Sequence, residues 1–380
     1  MISRNKYTVI AVAAALSLVA CSDSEGASEQ SNTTNTSALA PEESLDTKYM
    51  ELGEHHVGVT TLSLPNGDGI EVWYPTEVEP TGEVSYDVRD FTPEAVKALL
   101  TADIPASFSI SATRDAAVES GSYPVILFSH GFSGMRLQSS FLTSHLASWG
   151  MIVISPDHAS RDLEHALVGQ VGDQATAVDD LFSALDIVAA DSRFSSVMNM
   201  EQIATVGHSA GGGTAMASAN DDRIDGYVSM ASGSLGTQEG KALPGKPSFF
   251  LAGDLDEVVS AAEVTQVAFE AAPSPSVYWL LEGVGHNGFD DFCTFGNGKG
   301  IIGVAEASGL GALLEAQPQF KRLGSDGCLP PAVSSDLAFP VIRHAVTAWL
   351  VDLFSGGLSD SVVNEVEPGI YEIGVSATAK

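Results

Sequence analysis

Short apolar runs alternate along this chain with longer segments in which apolar residues recur every three or four positions. The short runs predict strands, and the longer segments at 174–191 and 259–271 predict helices. This alternation is typical of an α/β protein whose mostly parallel sheet is covered by helices on both faces. Two earlier runs, 57–64 and 70–74, are expected to supply antiparallel edge strands. The strands predicted for the parallel part lie at 124–129, 152–155, 203–206, 226–230, 248–251 and 277–281.

An insertion interrupts this pattern between residues 74 and 124. Within it, Pro93-Glu-Ala-Val-Lys-Ala-Leu-Leu100 predicts a short helix. Proline is favoured at the first position of a helix, so we expect the helix to begin at Pro93, with Thr92 as its N-cap.

The first 20 residues predict an export signal. Arg4 and Lys6 precede a 14-residue apolar stretch, 7–20, which is short for a bilayer span but suits a signal sequence. It ends in Leu18-Val-Ala-Cys21, which resembles a bacterial lipobox that is cleaved before a lipidated Cys21; cleavage by ordinary signal peptidase is the alternative. Several acyl chains on Cys21 would give lasting membrane attachment. Ser22 resembles the signal for the outer membrane in Gram-negative lipoproteins.

Residues 21–47 hold almost no large apolar side chain. Such a composition cannot bury enough surface to offset the entropy of ordering, so we expect a flexible tether. The remaining residues, 48–380, have a length that suits one functional domain with insertions.

The chain is strongly acidic, with 17 basic and 49 acidic residues and a formal net charge of −32. This charge makes nucleic acid and anionic surfaces poor partners. The acidic pairs Asp221-Asp222 and Asp290-Asp291 lack a calcium-binding loop pattern, so we expect solvated turns rather than a metal site.

The segment Ile203-Ala-Thr-Val-Gly-His-Ser-Ala-Gly-Gly-Gly213 carries the strongest functional signal. A predicted strand ends at a Gly-x-Ser-x-Gly, and a small-residue helical pattern follows at once. This order is typical of the sharp strand-to-helix turn that presents a nucleophilic serine. Gly207 and Gly211 are needed there because a Cβ would collide with the neighbouring strand and helix. Ser209 is therefore the candidate nucleophile.

A serine hydroxyl needs a histidine to accept its proton and an acid to orient that histidine. After this type of turn, the acid comes first in the chain and the histidine second. Of the histidines, only His286 and His344 follow Ser209. His286 lies in a loop after a predicted strand, where α/β sheets place their chemistry, and is the candidate base. His344 lies in an amphipathic helical pattern and is expected to pack or to face solvent.

The acid is expected in the loop that follows the predicted strand 248–251. Asp256, deeper in the loop, is preferred over Asp254, which is expected to cap a turn. Glu257 is the third candidate.

Two backbone N–H groups are needed to stabilise an oxyanion. The first belongs to Ala210, directly after the nucleophile. The second is expected from Phe132, in the loop after the predicted strand 124–129, with the Phe132 ring forming one wall of the pocket. The alternative is that this segment is an ordinary strand and turn.

These motifs resemble the α/β-hydrolases, and within them platelet-activating-factor acetylhydrolases, serine relatives of dienelactone hydrolase and cutinase-like polyester hydrolases. The resemblance implies a triad of Ser209, Asp256 and His286, oxyanion donors at Phe132 and Ala210, and neither a metal nor an organic cofactor. The matching stretches span about residues 50–355 and are Ser129-His-Gly-Phe-Ser-Gly134, Leu146-Ala-Ser-Trp-Gly-Met-Ile-Val-Ile-Ser-Pro-Asp-His158, Gly207-His-Ser-Ala-Gly-Gly-Gly213, Ala252-Gly-Asp-Leu-Asp256 and Gly285-His-Asn-Gly-Phe-Asp-Asp-Phe-Cys293.

The chain departs from two of these patterns. Cutinase-like polyesterases usually carry a tryptophan where this chain reads Ser229-Met-Ala-Ser-Gly-Ser234, and the best-known dienelactone hydrolases use a cysteine nucleophile. The Pro156-Asp157-His158 segment and the late Phe-Asp-x-x-Cys resemble the acetylhydrolases instead.

Cys293 and Cys328 are the two thiols that remain if Cys21 carries lipid. In an oxidising exported setting they are expected to form a disulfide, with two buried free thiols as the alternative. In the entropic model this bond contributes roughly 3–4 kcal/mol. The segment that it closes begins soon after His286, so we expect it to overhang the site. Its apolar stretch 309–314 is interpreted either as an acyl-chain contact or as a core helix.

The expected function is hydrolysis of short- to medium-chain carboxylic esters through an acyl-enzyme. A lipase or polyester hydrolase is the alternative within this chemistry, and a catalytically silent surface-binding lipoprotein is an alternative from another class. Peptidase activity is disfavoured because no separate propeller or large lid domain is evident. The expected partners are a small or polymeric ester and, through the N-terminal lipid, a membrane.

Overall fold

Ten strands form one sheet in the computed structural model of the chain, which describes residues 47–380 apart from 101–102, 234–241 and 317. The predicted signal sequence, Cys21 and most of the predicted tether lie outside the described residues. The strands in chain order are β1 (His56–Ser63), β2 (Gly69–Thr76), β3 (Glu83–Asp87), β4 (Ser107–Ser111), β5 (Thr113–Arg114), β6 (Tyr123–Ser129), β7 (Ile152–Pro156), β8 (Met198–His208), β9 (Gly226–Met230), β10 (Ser248–Gly253), β11 (Ser276–Leu281) and β12 (Val375–Ala379).

The centre of the sheet is parallel. Its strand order is β12-β11-β10-β9-β8-β6-β7-β2-β1-β5, and the six strands from β11 to β7 in that order are parallel to one another. These are the six strands predicted from the apolar runs, so the predicted α/β class is confirmed. The arrangement is consistent with the α/β-hydrolase fold.

The two margins of the sheet differ from the prediction. β1 and β2 pair antiparallel, as expected, but neither is the edge strand, because the two-residue β5 pairs with β1 on its outer side. At the other margin β12 pairs antiparallel with β11. β12 was not predicted, because this strand is short and carries no continuous apolar run.

Helices cover both faces of the sheet. In β6, Ile126 and Phe128 contribute to one apolar core, and Val125 and Leu127 contribute to the other, because alternate side chains point to opposite faces. The helices are α1 (Glu94–Lys97), α2 (Ser140–Ser148), α3 (Leu163–Leu167), α4 (Thr176–Ala190), α5 (Ala210–Ser218), α6 (Gln266–Ala271), α7 (Gly300–Ala307), α8 (Gly311–Glu315), α9 (Pro318–Leu323) and α10 (Ser335–Ser355); a π-helical turn, Ala261–Thr265, leads into α6.

Among the described residues, α10 alone is long and apolar enough to span a membrane by length and composition. Most of it is buried in the protein instead, and the Trp349 ring lies 6.2 Å from the Phe249 ring of the sheet. His344 is buried in the same helix and contacts the rings of Tyr49 and Tyr371, so it has the packing role rather than a surface role.

The insertion between β2 and β6 contains more structure than predicted. β3 and β4 form a separate two-stranded antiparallel sheet. The short helix begins at Glu94, so Pro93 occupies the N-cap position rather than the first helical position. Thr92 is not the cap, because its hydroxyl donates a hydrogen bond backwards to the carbonyl of Arg89.

The second insertion, residues 293–328, is closed by a disulfide between Cys293 and Cys328, as predicted. The alternative of two free thiols is wrong. Helices α7, α8 and α9 lie between these two cysteines. We refer to residues 293–328 as the disulfide-closed segment.

Candidate active site

Ser209 stands on a sharp turn between β8 and α5. Its φ of 56° and ψ of −124° lie in a region that residues other than glycine rarely occupy. A Cβ on Gly207 would overlap the Gly211 carbonyl, and a Cβ on Gly211 would overlap the Ser129 carbonyl of β6. The turn therefore needs both glycines, and it holds the serine side chain above the sheet.

The structure brings Ser209, His286 and Asp256 together in one hydrogen-bonded chain. His286 Nε2 lies 2.9 Å from Ser209 Oγ, and its Nδ1 lies 2.9 Å from Asp256 Oδ2. His286 is buried in a 3₁₀ turn, His286–Phe289, soon after β11. A carboxylate can only accept, so Nδ1 carries the proton and Nε2 is free to accept the serine proton.

The Asp256 carboxylate is held by its own loop. Its second oxygen, Oδ1, accepts hydrogen bonds from the amides of Val258 and Val259 at 2.8 and 2.7 Å. These bonds fix the carboxylate plane, so Oδ2 is directed at the imidazole. Such fixed acceptors keep the histidine in one tautomer and one orientation.

The other two acid candidates lie elsewhere. Asp254 Oδ1 accepts the amide of Gly283 at 2.6 Å, so it ties together the loops that follow β10 and β11. Glu257 is not within hydrogen-bond distance of His286; its amide donates to Asp326 at 3.1 Å. Of the three carboxylates, the structure therefore places only Asp256 against the candidate base.

The loop after β6 lies directly against the nucleophile. A Cβ on Gly131 would sit 3.2 Å from Ser209 Cβ, which is a tight contact, so the Gly131 backbone packs closely against the nucleophile. The Gly131 amide already donates to Gln138 Oε1 at 2.6 Å. The next amide, that of Phe132, is thus the candidate donor from this loop, and Ala210, the first residue of α5, supplies the other.

A buried arginine fastens both ends of this loop. Arg161 Nε donates to the His130 carbonyl at 3.1 Å, and the Arg161 carbonyl accepts the Ser133 amide at 2.8 Å. Its Nη2 donates to Ser129 Oγ at 2.6 Å and its Nη1 to Thr214 Oγ1 at 2.9 Å. Burial lowers the pKa of Arg161 to about 10, which leaves the guanidinium charged at neutral pH.

An apolar cavity of about 250 Å³ opens beside Ser209 and His286. The Phe132 ring forms part of its wall, as expected. Most of the other apolar side chains come from α3 and from the disulfide-closed segment, which therefore overhangs the site. These residues are Leu163, Ala166 and Leu167 on one side, and Ile301, Ile302, Leu314, Phe320 and Leu323 on the other. Leu314, from the apolar stretch 309–314, lines this cavity rather than the protein core.

The prediction for Asp290 and Asp291 is wrong, because both are buried rather than solvated. Phe289 and Phe292 flank them and pack into the apolar core, which draws the turn inward. Burial raises the pKa of Asp290 well above its ordinary value and that of Asp291 to about 7. The other acidic pair, Asp221-Asp222, does lie in a turn at the surface.

The described part of the chain contains no group of three or more histidine, cysteine, aspartate or glutamate side chains that could hold a metal ion. Three polar residues at the site were missed by sequence reasoning: Gln138, His208 and Asp326. His208 is part of the Gly-x-Ser-x-Gly motif, so its place beside the nucleophile was available. Gln138 and Asp326 carry no local sequence signal, since only the folded chain brings them to the site.

A family model named Chlorophyllase matches residues 86–225, which is well under half of the chain. The match runs from β3 to the residue before β9, so it includes Phe132 and Ser209 but ends before Asp256 and His286. No curated protein matches the chain. Together with the parallel sheet, the match supports a serine ester hydrolase of the α/β-hydrolase type. It does not decide between the acetylhydrolase-like and polyesterase-like resemblances.

Proposed function

We propose that this protein hydrolyses short- to medium-chain carboxylic esters, with Ser209 as nucleophile. The observation that carries the proposal is the hydrogen-bonded chain from Ser209 through His286 to Asp256 at the mouth of an apolar cavity. A surface-binding protein would have no need of an aligned nucleophile, base and acid.

The proposed reaction has two steps. His286 Nε2 takes the hydroxyl proton as Ser209 Oγ attacks the ester carbonyl, and the amides of Phe132 and Ala210 stabilise the resulting oxyanion. The C–O bond to the alcohol then breaks, and His286 returns the proton to the leaving oxygen. Water, activated by the same histidine, cleaves the acyl-enzyme and releases the acid. Asp256 stabilises the imidazolium that forms in both steps.

The cavity argues for a flexible apolar acyl chain. Aliphatic and aromatic side chains form most of its wall away from Ser209 and His286, and each methylene buried there adds about 0.8 kcal/mol of favourable transfer free energy. A polymer strand would have to continue past the scissile ester on both sides, between α3 and the disulfide-closed segment. We therefore rank polyester hydrolysis and long-chain lipase activity below the hydrolysis of short- to medium-chain esters.

The test compares the full chain with its Ser209→Ala variant on p-nitrophenyl esters from acetate to palmitate, a polyester film and chlorophyll. Ser359→Ala, at an exposed serine, is the matched control. We expect Ser209→Ala to reduce ester turnover by at least 10³-fold and to abolish fluorophosphonate labelling, with the control unchanged. Turnover retained in Ser209→Ala would exclude this nucleophile.

The substrate profile decides among the alternatives. A maximum between acetate and octanoate supports the proposal, a maximum at palmitate would favour a lipase, and film hydrolysis would favour a polyesterase. Hydrolysis of chlorophyll in preference to the simple esters would favour the activity for which the matching family model is named. Absence of both turnover and labelling in the wild type would favour the surface-binding protein.

We also propose that Cys21 carries the lipid that anchors the protein to the cell envelope, at the outer membrane in a Gram-negative cell. The Leu18-Val-Ala-Cys21 sequence supports this proposal. Labelling with a clickable fatty acid should mark the wild type and not Cys21→Ala. Labelling of both proteins, or of neither, would contradict it.

A further inference from the structure

Gln138 lies against the candidate oxyanion loop and lines the cavity; it is only 2% exposed, and its side-chain amide is hydrogen-bonded through both oxygen and nitrogen. Its Oε1 accepts the Gly131 amide at 2.6 Å. Because a backbone N–H can only donate, the orientation of the side-chain amide is determined. Nε2 therefore faces Asp290 Oδ2 at 2.8 Å and His208 Nδ1 at 3.4 Å.

His208 has a determined tautomer as well. Its Nε2 lies 3.0 Å from the carbonyl oxygen of His286, which can only accept, so Nε2 carries the proton. Burial lowers the pKa of His208 well below its ordinary value, and the neutral ring leaves Nδ1 as an acceptor. The second N–H of Gln138 therefore has an acceptor, and both of its amide hydrogens are used.

Asp290 connects Gln138 to the loop that carries the candidate base, His286. It lies four residues after His286, and its two oxygens accept from Gln138 Nε2 and from the Phe292 amide at 2.9 Å. Through Gln138, His208 and Asp290, the loops that follow β6, β8 and β11 are hydrogen-bonded to one another. These same loops carry Phe132, Ser209 and His286.

The Gly131 backbone needs such restraint because glycine has an unusually wide choice of φ and ψ. The carbonyl of Gly131 belongs to the same planar peptide as the N–H of Phe132. That carbonyl accepts from His130 Nδ1 at 2.8 Å and from the Gly134 amide at 3.2 Å. The N–H of Gly131 itself lies on the other side of its Cα. Among the described contacts, Gln138 is the only residue whose side chain accepts a hydrogen bond from this N–H.

We infer that Gln138 is a positioning residue: its side-chain amide sets the direction of the Phe132 N–H relative to Ser209 and His286. The inference rests on the proposed function, because it concerns stabilisation of the oxyanion in that reaction. Gly134 supports the role, since a Cβ there would contact Gln138 Oε1 at 2.5 Å and displace it. Gln138 also lines the cavity, but its side-chain oxygen and nitrogen are bonded to protein groups, so it acts through the Gly131 backbone.

The test uses Gln138→Met, which keeps the length of the side chain and removes its hydrogen bonds. Gln138→Glu retains an acceptor for the Gly131 amide but loses the N–H donors to Asp290 and His208, so it tests the Gly131 bond separately. Gln266→Met, at an exposed glutamine, is the matched control. The measurements are kcat and KM for p-nitrophenyl butyrate, and the inhibition constant of an alkyl boronic acid that forms a tetrahedral adduct with a serine.

Loss of one oxyanion donor typically lowers kcat by about 10²–10³-fold, and a misdirected donor should cost somewhat less. We expect Gln138→Met to lower kcat by roughly 30–100-fold, to weaken the boronic acid by a similar factor and to leave KM within about threefold. Gln138→Glu should recover part of both losses through its acceptor for the Gly131 amide, and Gln266→Met should match the wild type.

Two results would overturn the inference. The first is a Gln138→Met protein with wild-type kcat and boronic acid affinity. The second is a loss of kcat with unchanged boronic acid affinity, which would place the defect in a step other than oxyanion stabilisation. If Gln138→Met does not fold, Asp290→Asn takes its place. An asparagine offers one acceptor where two donors, Gln138 Nε2 and the Phe292 amide, must be satisfied, so we expect the same kinetic pattern. Wild-type protein without any ester turnover would instead contradict the proposed function, and this inference with it.

Discussion

The carboxylate of Asp326 accepts the backbone N–H of His286 at 2.9 Å, although the two residues are 40 positions apart. The same oxygen accepts the Glu257 amide, one residue after Asp256. Asp326 itself lies in the disulfide-closed segment, two residues before Cys328. The segment that forms the cavity wall therefore also holds together the two loops that carry the candidate base and acid.

Replacing Asp326 should impair the proposed chemistry. Asp326→Ala leaves the amides of His286 and Glu257 without this acceptor, so we expect a roughly tenfold or greater loss of kcat with a small change in KM. Steady-state kinetics on p-nitrophenyl butyrate measure it, with Asp360→Ala at an exposed position as control. Equal kcat in both variants would show that the bonds from Asp326 do not support the site.

The two aspartates after β10 should respond differently to the same change. Asp256→Asn places an amide group opposite the Nδ1–H of His286 and favours the wrong tautomer, which we expect to lower kcat by about 10³–10⁴-fold. Asp254→Asn keeps an acceptor for the Gly283 amide and should stay within about threefold of wild type. Comparable losses in the two variants would mean that the acid has been assigned to the wrong residue.

The cavity wall should set the preferred chain length. Leu314→Trp fills space beside the acyl chain, so turnover of p-nitrophenyl octanoate should fall at least tenfold relative to p-nitrophenyl acetate. Leu329→Trp, at an exposed leucine that does not line the cavity, is the control. The ratio of kcat/KM for the two esters is the measurement. An unchanged ratio in Leu314→Trp would place the acyl chain elsewhere.

Burial of Asp291 predicts a pH-dependent stability. Burial raises its pKa to about 7 despite the favourable Arg343 charge and the hydrogen bond from the Phe141 amide. Between pH 4 and 7 the unfolded chain ionises this carboxyl while the folded chain keeps it protonated, so stability falls as pH rises. The contribution is present below pH 4 and is lost by about pH 7.

Asp291→Asn should remove this dependence. Denaturant unfolding between pH 4 and 7.5 should show the wild type losing on the order of 4 kcal/mol relative to the variant across that range. The difference between the two proteins isolates Asp291 from the other titrating groups. Parallel curves would show that Asp291 is ionised throughout in the folded protein.

The parallel centre of the fold was predictable because apolar runs report directly on buried strands. β6 and β11 end at the predicted residues, Ser129 and Leu281, whereas β8 ends two residues later than predicted, at His208. The loops that carry Ser209 and His286 follow from those strand ends. The margins were less predictable, because β5 and β12 are short strands whose pairing depends on neighbours distant in sequence.

The sequence by itself determined where the six parallel strands lie along the chain and where the strand-to-helix turn at Ser209 falls, because both depend on local pattern. It also determined the pairing of two cysteines, because only a small number of candidates exist. Tertiary structure decided which aspartate faces His286, that Asp290 and Asp291 are buried, and that Gln138 and Asp326 reach the site. These relationships connect positions 30 to 152 residues apart. No local propensity encodes them, since they arise only when separate loops meet at one edge of the sheet.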